Sequence, residues 1–375
     1  MTIANINTST PPLSTSGSRQ VWIDCLRGFT MLLVVLVHCE NHLYMKAPAA
    51  ISSFSSFYVS FMMPLFVFIS GYFSYSPHLR LNAAELHYAI MRRMKMLLIP
   101  TAIFMVLFYF AYSLPKGHSF YHLLCDPYKG LGWFTLIIFE CFAVAAPFVA
   151  LLNSGLISRR AALLLMILIA CLSLYVHSRL WGNTSDLGDW FNIITHPRVF
   201  ELFFYFMAGI VARVALRVMR PPYVSLWVLV PMFAVSFGAI IWIAPMLKSY
   251  YFDWRIVPFI LMSIFALFFL FARLRDVLTE ENRIGRFLSY LGRNTLQVYL
   301  MHLMIVNVFD FAVIQDLYDW GSLNLDAMLP FNIALTIGIA ALCLYLDKLF
   351  ARTRVYRYVY PKLPSRRSLT TAATA

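Results

Sequence analysis

The chain has 375 residues, of which 61% are hydrophobic and 17% aromatic while only 13% are charged, about half the charged share of a soluble domain. That excludes a water-soluble enzyme and describes a polytopic membrane protein. The net charge of +13 does not describe a nucleic-acid binder, because the basic residues sit in short segments between apolar runs.

Residues 1–20 are polar and rich in Ser, Thr and Pro. They lack the layout of a cleavable signal and read as a disordered tail. Residues 21–352 form the membrane domain, and residues 353–375 form a basic tail. A crossing needs about 20 mostly apolar residues. Ten such runs occur, at 28–46, 52–75, 96–114, 133–153, 161–178, 199–218, 224–246, 256–273, 295–314 and 329–350. The expected fold is therefore all-α, with about ten transmembrane helices in one bundle. An even number of crossings puts both termini on one side. If that side is cytoplasmic, 23 of the 30 Lys and Arg lie in inner segments, as the positive-inside bias requires. Most of these cations read as anchors to anionic lipid. The cysteines lie mostly within or beside apolar runs, so no disulfide pair is evident.

The first run carries the least ordinary pattern, WIDCLRGFTMLLVVLVHCENHLY from Trp22 to Tyr44. Asp24 and Arg27 stand at its mouth and His38 stands inside it. Eleven helical steps return to nearly the same face and separate Arg27 from His38 by roughly 16 Å. Ionisable groups at membrane depth are costly and point to function, although a mid-span histidine can also simply bond a backbone carbonyl. His42 follows His38 by four residues, a spacing that also suits metal ligation, but no third ligand accompanies the pair and no metal is expected. Glu40 points to the other face, towards a neighbouring helix.

The second run ends MMPLFVFISGYF, where Ser70 and Gly71 are small enough for close helix packing. Before the third run, MRRMKMLLIP places Arg92 and Lys95 on one helix face with Arg93 between them. Paired cations at a surface either anchor the helix or hold phosphate. Glu140 in the fourth run and Asp310 in the ninth are isolated acids that could partner a histidine. Glu201 beside Arg198, and Asp347 beside Lys348, read as surface ion pairs. In the ninth region, LGRNTLQVYLMH brings Tyr299 and His302 to a depth that overlaps His38.

Taken together these stretches resemble the membrane-bound acyltransferase-3 family, best known from bacterial polysaccharide O-acetyltransferases. Asp24, Arg27 and Gly28, with His38 further along, resemble its first-helix motif. MPLFVFISGYF at 63–73 is similar to its second. Arg92 and Lys95 resemble its basic pair, which more usually ends in Arg. Gly132-Trp133-Phe134, FELFFYFMAGIVAR at 200–213 and LGRNTLQVYLMH at 291–302 are each like family segments.

The resemblance implies transfer of an acyl group, usually acetyl, from cytosolic acyl-CoA to a hydroxyl of a glycan or lipid-linked sugar, in the bacterial inner membrane. It implies that Arg27 and His38 are essential, and that Arg92 and Lys95 serve the donor. The residues suit that chemistry. Imidazole has the pKa of a general base, so His38 is expected to take the hydroxyl proton or carry the acyl group, with His302 beside it. Arg92, Arg93 and Lys95 are expected to bind acetyl-CoA. Asp24, His42, Ser70, Glu140 and Tyr299 are expected to line the cavity. An exporter of the glycan or lipid-linked sugar is the alternative, since buried histidines also suit proton-coupled transport. It gives no reason for cations beneath His38.

Overall fold

The structure, a computed structural model, describes residues 20–43, 53–126, 129–180, 188–216, 223–243, 254–308 and 329–361. The expectations for the N-terminal tail, for Asp310, for most of the C-terminal tail and for the His42 side chain lie outside them.

No strand occurs among the described residues. In hydrocarbon each backbone N–H and C=O must be satisfied within its own segment, and a helix does this. The bundle comprises α1 (Val21–Leu43), α2 (Ser53–Ser74), α3 (Ala83–Phe108), α4 (Phe120–Cys125), α5 (Trp133–Ser154), α6 (Arg159–Leu180) and α7 (Gly188–Ile194). It continues with α8 (Val199–Ala215), α9 (Leu226–Ile243), α10 (Val257–Arg273), α11 (Arg283–Arg293), α12 (Thr295–Val308), α13 (Leu329–Phe350) and α14 (Tyr356–Val359). Each of the ten expected runs coincides with one helix. Eight are long and apolar enough to cross a membrane. The exceptions are α8, with 17 residues, and α12, with 14.

Helix α1 is central and packs against α2, α10, α11, α12 and α13. It begins at Val21, before the apolar run itself, so Asp24 and Arg27 lie inside the helix rather than at its mouth. The reason is α11, whose small and apolar side (Gly285, Leu288, Ser289, Leu291, Gly292) covers that first turn. Two glycines make the crossing. A Cβ on Gly28 would overlap the Leu288 carbonyl, and one on Gly292 would overlap the Asp24 carbonyl. The same device joins α2 to α8, where Gly71 meets the Phe206 backbone and Gly209 meets that of Phe68. The packing expectation for the Ser70–Gly71 pair is thus met at Gly71.

Other helices show an outward apolar side, as lipid contact requires. Leu164, Leu168, Leu172 and Tyr175 of α6 are exposed, as are Trp227 and Trp242 of α9. Some inward-facing polar groups pair across helices. Glu40 accepts hydrogen bonds from Ser55 (2.7 Å) and Tyr58 (2.5 Å), which ties α1 to α2 as its position on the helix foretold.

Two expected surface pairs are not at the surface. Arg198 and Glu201 form a two-pronged pair, with Nε–Oε2 at 2.9 Å and Nη2–Oε1 at 3.1 Å, and both side chains are buried where α8 meets α6. Asp347 is buried beside Tyr356 while its neighbour Lys348 is exposed. In both cases a charge near a helix end is covered by a neighbouring element that single-helix reasoning does not see.

Candidate active site

Four helices bring the expected residues together. Helices α1 and α12 run in the same direction and meet at two levels. At the lower level, Arg27 donates from Nη2 to the Thr295 hydroxyl at 3.0 Å. At the upper level the His38 and His302 rings face each other with centroids 5.0 Å apart. Thr295, Tyr299 and His302 follow one another at four- and three-residue steps, so they share one side of α12. Tyr299 contacts His302 with ring centroids 5.8 Å apart.

The two imidazoles differ. His302 is fully buried, and its Nδ1 lies 3.0 Å from the Val298 carbonyl. A carbonyl can only accept, so Nδ1 carries the proton and Nε2 is left with a bare lone pair. Nε2 has no hydrogen-bond partner among the described residues. His38 remains partly accessible. A partly accessible imidazole backed by a buried one offers two ring nitrogens to a proton at this depth.

Below the imidazoles lies a chamber of about 320 Å³, lined by residues that include Arg27, Ser70, Arg93, Thr295 and Tyr299. A wider cavity of about 620 Å³ shares Phe73, Arg93 and Met96 with it and adds Arg92, His78 and Tyr88. Arg93 stands at the junction. It donates from Nη2 to the Ser74 hydroxyl at 3.1 Å and lies over the Phe142 ring at 4.8 Å. Arg92, Arg93 and Arg27 thus mark a cationic path from the wide cavity into the narrow chamber.

Not every expected residue joins this path. Lys95 is exposed and lines neither cavity, although it shares a helix face with Arg92 by spacing. The cavity follows the stripe through Ala89, Arg92, Arg93 and Met96, and Lys95 lies beyond its edge. Asp24 is buried under the α11 crossing. Ser70 lines the chamber but donates its own proton to the Phe66 carbonyl at 2.9 Å.

Glu140 belongs to another cluster. It accepts from the Thr195 hydroxyl at 2.6 Å, and the Lys129 ammonium donates to the Thr195 carbonyl at 3.2 Å. Burial holds the Lys129 amine below its ordinary pKa. His196, tilted against Trp133 with ring centroids 4.6 Å apart, takes the Arg198 backbone N–H on Nδ1 at 3.0 Å. Burial pushes its pKa down to about 2, with the Arg198, Lys129 and His177 charges adding to the effect.

Sequence reasoning missed Thr295, Phe66 and Phe134 as parts of the site. Thr295 lies within LGRNTLQVYLMH, but nothing in that stretch alone marks it as the partner of Arg27. No group of three His, Cys, Asp or Glu side chains of the kind that holds a metal occurs among the described residues.

The family model described as Acyltransferase domain matches residues 20–347, which takes in every element of this site. No curated protein and no solved structure matches the chain.

Proposed function

The chain belongs to the acyltransferase-3 family, as an all-helical membrane protein, and from that premise we propose that it moves a short acyl group from acyl-CoA to a hydroxyl of a glycan or lipid-linked sugar. One observation carries the reading: the line of cations Arg92, Arg93 and Arg27 leads into a chamber that ends against Tyr299, with the paired imidazoles behind it. An exporter of an uncharged glycan has no use for three arginines on one approach, and an exporter of a phosphate-bearing lipid-linked sugar has no use for a thioester-binding chamber beyond them. A donor carrying phosphates at one end and a thioester at the other has a use for both ends of the line.

In this reading the phosphates of the donor rest on Arg92 and Arg93, and Arg27 steadies the thioester arm from its bond to Thr295. The acceptor hydroxyl attacks the thioester carbonyl as His38 takes its proton. The C–S bond breaks, the C–O bond forms, and the proton passes to the departing thiolate. Covalent passage through an acyl-imidazole on His38 has the same balance. The charge bias of the connecting segments supports a cytoplasmic position for both termini in a plasma membrane, which puts the arginine end on the side where acyl-CoA is found.

The test uses purified protein in detergent. Acetyl-CoA binding is measured directly, and free thiol release is followed with and without a hydroxyl acceptor. Binding together with acceptor-dependent thiol release supports transfer. No binding and no release, from protein that in vesicles moves glycan with a proton gradient, replaces transfer with export.

A further inference from the structure

Among the described residues, the arginine-lined chamber and the imidazole pair have different surroundings. Phe66, Phe134 and Tyr299 line the chamber, whereas neither His38 nor His302 does. The three rings touch. Phe66 and Phe134 have centroids 5.3 Å apart at an interplanar angle of 87°, and Phe134 and Tyr299 are 5.6 Å apart. Each ring comes from a different helix, α2, α5 or α12, and their exposures are 7%, 2% and 5%. Tyr299 and His302 are three residues apart on α12, about 4.5 Å along that helix, and their rings are in contact.

We infer that this aromatic layer sets the length of the acyl group the protein accepts. The inference rests on the acyl-CoA reading above. A thioester whose phosphates are held by the arginines meets the rings before it meets the imidazoles. An acetyl group brings only a carbonyl and a methyl up to these rings. Each further methylene has to displace a ring of this packed set, and interiors at crystal-like density resist added volume. A hydrophobic pocket discriminates a single methylene by about tenfold or more. Phe134 is the central member, because it contacts both of the other rings.

The test compares acetyl-, butyryl- and hexanoyl-CoA as donors for the unsubstituted protein, Phe134→Ala and the milder Phe66→Leu, with CoA binding measured on each. The expected result is a preference for acetyl-CoA in the unsubstituted protein. In Phe134→Ala the kcat/KM ratio of butyryl- to acetyl-CoA rises about tenfold or more, and in Phe66→Leu by a smaller factor. CoA affinity retained in a variant shows that it is folded. If the unsubstituted protein binds CoA but the chain-length profile is the same in both variants, the length filter is overturned and the acyltransferase reading stands. If the unsubstituted protein binds no CoA, both are overturned.

Discussion

His38 and His302 meet across two helices with ring centroids 5.0 Å apart, and the buried one holds its proton on the nitrogen that faces the Val298 carbonyl. The pair is therefore asymmetric, with His302 fully buried and His38 partly accessible. Replacing His38 with Ala should lower kcat by about 10²–10⁴, the usual worth of general base catalysis, with acetyl-CoA affinity unaltered. A His38→Ala protein with undiminished kcat would remove the imidazole from the reaction.

Arg93, at the junction of the two cavities, should matter more to the donor than Lys95. Arg93→Ala removes a charge-assisted contact worth about 1.5–3 kcal/mol and should weaken acetyl-CoA binding about tenfold or more. Lys95→Ala should leave affinity within about twofold. Titration calorimetry on both variants decides the matter. Equal losses would return Lys95 to the site.

That contrast shows what a single sequence reveals here and what it hides. The Arg27–His38 spacing could be read directly, because helical periodicity is a property of one segment. The ten apolar runs could be read for the same reason. The meeting of His38 with His302 was foreseen only as a match of depth. Lys95 could not be separated from Arg92 because residues three apart share a face, and only α5, packed against one side of α3, divides that face. The burial of Arg198, Glu201 and Asp347 was equally hidden, since the elements that cover them lie elsewhere in the chain. The Phe66–Phe134–Tyr299 contact needs three helices at once, and 33 phenylalanines gave no reason to single out two.

The glycine crossings give a stability prediction with an internal control. Gly28→Ala and Gly292→Ala each drive a Cβ into a backbone carbonyl of the facing helix. Each should cost about 1–3 kcal/mol or more and lower the thermal midpoint in detergent. Gly238 and Gly338 have open space around the same position, so alanine there should leave the midpoint unchanged or raise it slightly. Equal effects at all four sites would mean that the α1–α11 contact is not tight.

His196 gives a pH dependence outside the membrane-spanning segments. Its folded pKa is about 2 against an ordinary 6.5, so the unfolded chain binds the extra proton across that interval. Above pH 6.5 both states are neutral and the stabilisation is complete. Below 6.5 stability falls, by at most about 1.4 kcal/mol per pH unit from this group. Hydrogen exchange of the segment around Thr195 and His196 should accelerate as pH is lowered from 6.5 to 5, after correction for intrinsic rates. His196→Phe should flatten that trend. A slope that persists in His196→Phe would assign the effect to another group.

The ring layer between the arginines and the imidazoles also bears on the bilayer as an insulator. A passage with cations at its entrance and titratable nitrogens within would, if wet throughout, conduct protons down the membrane potential, at about 2.3 kcal/mol per charge for every 100 mV. Three packed, buried aromatic side chains leave little room for a continuous file of water there. If the arginines hold a charged donor and the imidazoles a proton, as proposed above, packed rings between them would let both happen without short-circuiting the energy store of the membrane.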